Sequence, residues 1–216
     1  MRRLLFSLVV ISSSLASAAQ PLGLTEDEFK MYRHYTLALG DSRVQKMKPE
    51  ARLPAIAKDA GYKPKDLQKA VERGEAAGDV KAKCEENLKS VLGASELGPQ
   101  LGKLEVDISA EHAVAYVQWF NEEPKNLPIE ASTAAVSAAE ACPIAATIQV
   151  WAQDKANPRA RVFQALISTS GAKRINAEKV KDYAETRYIK LFEKVKSAAN
   201  GDDLSGEQGM PVAGKQ

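Results

Sequence analysis

Few side chains in this sequence are suited to chemistry, and their spacing decides what they could do. Cys84 and Cys142 are the only cysteines. In an exported chain an isolated pair is most economically a disulfide. A bridge across their 58-residue separation stabilises a fold by about 4 kcal/mol on the chain-entropy account. Two separately buried thiols are the alternative. The only histidines, His34 and His112, are far apart in sequence and far from both cysteines, so no stretch has the ligand spacing of a metal site. Glu122-Glu123-Pro124 offers adjacent carboxylates, a pattern more typical of a solvated turn than of an acid/base pair. Gly93, Gly98 and Gly102 lack the spacing of a phosphate-binding loop. Neither a metal nor a cofactor is expected.

One serine stands in a suggestive context. Leu39-Gly-Asp-Ser-Arg43 is similar to the Gly-Asp-Ser nucleophile block of the secreted SGNH or GDSL-type hydrolases, which would make Ser42 the nucleophile of an esterase. That family supplies its base from an Asp-x-x-His pair near the C-terminus. Neither His34 nor His112 follows an aspartate at that spacing, and a serine without a base is not activated. Gly40 as a helix stop, with Asp41 or Ser42 as the next N-cap, accounts for the same residues.

A second stretch bears on nucleic acid. The segment from Leu53 to Val71 resembles a helix-turn-helix, with Ile56, Ala57, Ala60, Gly61, Tyr62, Leu67 and Ala70 where that motif places its core residues, a small residue and the turn glycine. The resemblance implies that Lys65, Gln68 and Lys69 line the outward side of a recognition helix, with Lys63 and Arg73 near phosphates. Between Arg43 and Lys69 there are eight basic and three acidic residues. The same helix-glycine-helix spacing serves as a plain structural corner in proteins that touch no DNA. DNA association through residues 53–73 is the alternative function.

The first eighteen residues set the compartment. Met1-Arg-Arg is followed by an apolar run from Leu4 to Ile11 and by Ala16-Ser17-Ala18, the pattern of a signal peptide cut after Ala18. No stretch reaches the roughly 20 apolar residues of a membrane-spanning helix. The whole chain has 30 Lys+Arg against 28 Asp+Glu, and losing Arg2 and Arg3 leaves 28 against 28. Net charge therefore gives the mature chain no general attraction to nucleic acid or anionic lipid.

The elements that would position these residues fall into two parts. Thr25-Glu-Asp-Glu28 is a capping box, so a helix is expected from Thr25 to Leu39, with shorter helices at Ser42–Lys48, Glu50–Ala60, Pro64–Arg73 and Asp79–Leu92. From Lys103 onward, two strand-strand-helix units follow. Leu104, Val106 and Ile108 alternate with Glu105 and Asp107, whereas Ala113–Phe120 is apolar on both parities. A helix over Glu130–Cys142 is rich in alanine, with Val136 its one large apolar residue, and stops before Pro143. Strands at Ala146–Asp154 and Arg161–Ser168 come next, and Val180, Tyr183, Ala184, Tyr188, Leu191, Phe192 and Val195 predict a helix from Asn176 to Ala199.

The expected organisation is a signal peptide (1–18), a helical subdomain (19–93), a linker (94–102), a ββαββα sheet domain (103–199) and a disordered tail (200–216). The fold class is α+β: an N-terminal helical layer followed by a four-stranded, mainly antiparallel sheet. If helices cover only one sheet face, Trp151 with Tyr116 or Phe120 forms a patch for a partner. The expected function is non-enzymatic: a periplasmic or secreted binding or scaffold module of the cell envelope, partnered by another protein or an envelope component.

Overall fold

A computed structural model describes residues 21–108 and 112–204. The leader and residues 205–216 of the tail lie outside the described residues. The chain is α+β, with helices first and a sheet after them.

Among the described residues five helices come first: α1 (Glu26–Ala38), α2 (Ser42–Gln45), α3 (Pro49–Asp59), α4 (Pro64–Ala77) and α5 (Val80–Gly93). The capping box opens α1, with the Thr25 hydroxyl accepting from the Glu28 N–H and the Glu28 carboxylate accepting from the Thr25 N–H, both at 3.2 Å. Two of the helix joints need left-handed backbone and have glycine there: Gly61 (φ 72°) between α3 and α4, and Gly78 (φ 66°) between α4 and α5. Val44, Ile56, Ala57, Leu67 and Val71 bury a small core among α1 to α4. Packing of α1 on α4 leaves no room at Gly74, where a Cβ would lie 2.3 to 2.6 Å from three carbons of the Tyr32 ring. Gly74→Ala is expected to destabilise the protein by about 2 kcal/mol in urea unfolding, since the ring must leave its site.

The larger core lies between helices and sheet. Its sheet contains β1 (Leu101–Asp107), β2 (Ala113–Asn121), β3 (Ala145–Asp154), β4 (Arg161–Ser168) and β5 (Lys194–Ser197), in that spatial order. Helix α6 (Leu127–Ala141) crosses over between β2 and β3, which makes that pair parallel, and the other three pairs are antiparallel. Because α6 is wedged among the sheet, α5 and the C-terminal helical turns, it is buried on most sides. Its alanines permit that close approach, with Ala131, Ala134, Ala135 and Ala138 fully buried.

Among the described residues the sheet has five strands rather than four, and the difference lies where a long helix was expected. After short α7 (Thr169–Ala172), Asn176 accepts from the Glu178 N–H as an N-cap, but the helix does not run on to Ala199. A 3-10 turn, short α8 (Val180–Tyr183), a π turn at Ala184–Tyr188 and a further 3-10 turn at Ile189–Leu191 lead into β5. The reason is tertiary. Lys194-Val-Lys-Ser197 alternates charged with inward-facing residues, and pairing Val195 with Ala165 and Ser197 with Phe163 covers an edge of β4 that a helix would leave open.

Cys84 on α5 and Cys142 at the end of α6 lie at disulfide distance with a Cα–Cα separation of 5.0 Å, and both are fully buried. Beside them the Asn87 side chain donates to the Ala141 carbonyl at 3.2 Å, a second tie between the two helices. Among the described residues no helix is long and apolar enough to cross a membrane.

Candidate functional site

Because β2 and β3 are parallel, their carboxyl ends lie together, at the end of the sheet where the crossover helix α6 begins. Strand alternation sends Trp119 and Asn121 to the same face of β2, toward α6. The turn Glu122–Asn126 then folds the chain back so that the first turn of α6 lies over them. Glu130, in that turn, is only 8 % exposed.

One oxygen of Glu130 is fully engaged. Its Oε2 accepts from Trp119 Nε1 at 2.6 Å and from Asn121 Nδ2 at 2.8 Å, and Asn121 Nδ2 also donates to the Glu123 carbonyl. Its Oε1 has one partner: the Gln100 amide, oriented nitrogen inward, donates to it and to the Phe120 carbonyl, each at 3.3 Å. All three partners are donors, the environment an ionised carboxylate needs, since it can only accept. Burial pushes the Glu130 pKa up, the hydrogen bonds from Asn121 and Trp119 oppose the shift, and the negative charges of Glu122 and Glu123 add to it.

Two cavities flank Gln100. One, of about 290 Å³, opens beside Glu130 and is lined by Leu97, Asn126, Ile129 and Thr133, with Glu96 and Lys181 also on its wall. Lys181 Nζ is paired with Glu96 Oε1 at 2.7 Å. The other cavity, of about 230 Å³, is bounded by Pro99, Phe120, Lys155 and Pro158. Among the described residues no group of three or more His, Cys, Asp or Glu side chains is placed to hold a metal ion.

The residues singled out from sequence fall in several places. Phe120 is half-buried and borders the second cavity. Tyr116 and Trp151 lie on the sheet face away from α6, 2 % and 3 % exposed, so the described chain has no open aromatic patch there. They meet edge to face with ring centroids 6.3 Å apart, and the Arg161 guanidinium stands 5.7 Å from the centre of the Trp151 ring.

The corner between α3 and α4 does form, closed by a Tyr62 N–H to Ala57 carbonyl bond of 2.8 Å, with Ile56, Ala57, Leu67 and Ala70 buried. Lys63, Lys65 and Gln68 face outward, Gln68 donating to Glu72. Arg73 and Lys69 turn instead toward α1. Arg73 Nη1 donates to both oxygens of Glu28 at 2.7 and 2.9 Å, and Lys69 Nζ lies 3.9 Å from Glu28 Oε1. Burial works against the Glu28 charge, but the Thr25 N–H and Arg73 outweigh it and hold the carboxyl below its ordinary value. At Leu39-Gly-Asp-Ser-Arg43 the Asp41 carboxylate caps α2 through the Arg43 N–H and pairs with the Arg43 guanidinium. His34 meets Tyr62 edge-on at 5.8 Å.

Glu130, Asn121 and Gln100 were not singled out from the sequence. The signal that was available is that Glu130 is the single charged residue between Leu127 and Ala139, a carboxylate inside a run that is otherwise apolar or small. No protein-family model, curated protein or solved structure matches the chain.

Proposed function

We propose that this chain is an exported, non-enzymatic binding or scaffold module of the cell envelope, with the cavity beside Glu130 as its ligand-facing site. The observation that carries the export half is the buried Cys84–Cys142 pair at disulfide distance, since such bonds persist in oxidising compartments and are rare in the cytosol. The signal-peptide pattern of residues 1–18 supports the same compartment. The binding half is supported by a carboxylate held rigidly by three donors at the wall of a cavity, an arrangement suited to fixing a ligand. Association with DNA has weaker support, because two of the five side chains that would serve it are drawn to Glu28.

Native protein is expected to begin at Ala19, to fractionate outside the cytoplasm and, when denatured without reductant, to show no titratable thiol. Cytosolic protein beginning at Met1 with two reactive thiols would overturn the proposal. Salt-dependent binding to duplex DNA by that form would put the segment 53–73 in its place.

A further inference from the structure

We propose that the cavity beside Glu130 takes a primary ammonium group on a short aliphatic stem, as carried by a free alkylamine or a lysine side chain. The inference deepens the binding role proposed above and does not depend on the compartment.

The first reason is a missing countercharge. Glu130 is more than nine-tenths buried, its partners are all neutral donors, and no cation among the described residues pairs with it. Buried charges are normally paired, because low-dielectric surroundings penalise an isolated ion. Lys181, the cation on the cavity wall, is already paired with Glu96, and both side chains are well exposed. Glu122 and Glu123, also close enough to act on Glu130, add negative potential, although each has its own lysine, Lys155 and Lys125.

The second reason is geometric and selects the kind of cation. With Oε2 occupied by two donors, only Oε1 has acceptor capacity left, and Glu130 is part of a cavity wall. A guanidinium achieves its strength by spanning both oxygens of a carboxylate, which this one cannot offer. A hard metal ion takes six or more oxygen ligands, more than one open carboxylate oxygen and the neutral oxygens of Asn126 and Thr133 supply. An ammonium is a compact charge with three donors. One can go to Oε1, while Asn126 and Thr133 on the same wall carry acceptor oxygens for the rest. Leu97 and Ile129 supply apolar surface for a stem, and about 290 Å³ accommodates one.

The bond from Trp119 to Glu130 supplies a reporter. In full-length oxidised protein, n-butylammonium is expected to shift the Trp119 indole N–H resonance saturably, while that of Trp151, on the other sheet face, stays in place. n-Butanol, of the same shape without the charge, should leave both unmoved. Glu130→Gln, with folding checked by its thermal melt, is expected to weaken binding by at least about thirtyfold, the low end of the cost of removing one partner of a buried charge pair. Thr133→Phe, which fills the cavity and leaves the carboxylate intact, should abolish it. Binding should be strongest above the raised pKa of Glu130 and fade as pH falls through it, because the protonated carboxyl no longer attracts a cation.

No saturable shift in the wild type, an equal response to n-butanol, or undiminished binding by a folded Glu130→Gln or Thr133→Phe protein would each overturn the proposal. An Nα-acetyl-lysine amide arm identifies the source: binding like that of n-butylammonium points to a lysine of a partner polypeptide, and exclusion points to a free amine. Amine binding by a protein found in the cytosol would overturn export and leave the ammonium site standing. An exported protein without amine binding would do the reverse.

Discussion

Replacing Cys84 and Cys142 together by alanine is expected to lower the unfolding free energy by about 4 kcal/mol, a large share of the stability of an ordinary domain. The magnitude follows from the 58-residue separation that the bond closes in the unfolded chain. Its position sharpens the consequence. Cys84 lies in α5, which follows the small helical core, and Cys142 lies at the end of α6, the crossover helix of the sheet. The Asn87 to Ala141 hydrogen bond remains in the variant, so the two helices stay in contact once folded, and the loss falls mainly on the unfolded state. Urea unfolding of the wild type with and without reductant separates the bond from the packing. The reduced wild type should unfold at the urea concentration of the double variant. Identical transitions for oxidised and reduced wild type would mean that the two sulfurs are independent thiols.

The same two cysteines show what could be read in the sequence and why. Their pairing needed only composition and compartment, and the Thr25–Glu28 box, the glycine corner at Gly61 and the strands β1 to β4 were set by local pattern, which the fold respected. Where tertiary demands competed with local pattern, the sequence misled. Residues 176–199 carry helical spacing, but the free edge of β4 recruits Lys194–Ser197 as a strand, and the helix breaks through a π turn on the way. The Glu130 site was hidden for a related reason. Its donors come from the end of β2 and from Gln100, a residue in what looked like a featureless glycine-containing linker and is a 3-10 turn leading into β1. Helix α6 starts at Leu127, with Pro128 tolerated in its first turn, rather than at Glu130. That shift of three residues moves Glu130 from the helix boundary to a place over Trp119 and Asn121.

Glu130→Ala is expected to destabilise the protein by about 3 kcal/mol, because it strips a buried indole N–H of its acceptor and leaves it orphaned. Trp119 is fully buried and its indole has no other acceptor among the described residues, whereas Asn121 keeps the Glu123 carbonyl and Gln100 keeps that of Phe120. Glu130→Gln retains an oxygen for the indole and should cost much less at any pH where the wild-type carboxyl is charged. The pH dependence follows from the direction of the shift. Burial raises the folded pKa above the ordinary 4.5, so across that window the folded chain binds more protons than the unfolded one. The contribution of Glu130 to stability is therefore full below the ordinary value and declines as pH rises through the folded value. Wild type should lose stability relative to Glu130→Gln over that interval, and the gap should stop growing above it. Trp119→Phe removes the donor, so adding Glu130→Ala to it should cost markedly less than in the wild-type background, with a coupling of about 2 kcal/mol. Equal costs in the two backgrounds would show that the indole and the carboxylate do not depend on each other, and the anchored oxygen on which the ammonium site rests would be lost with them.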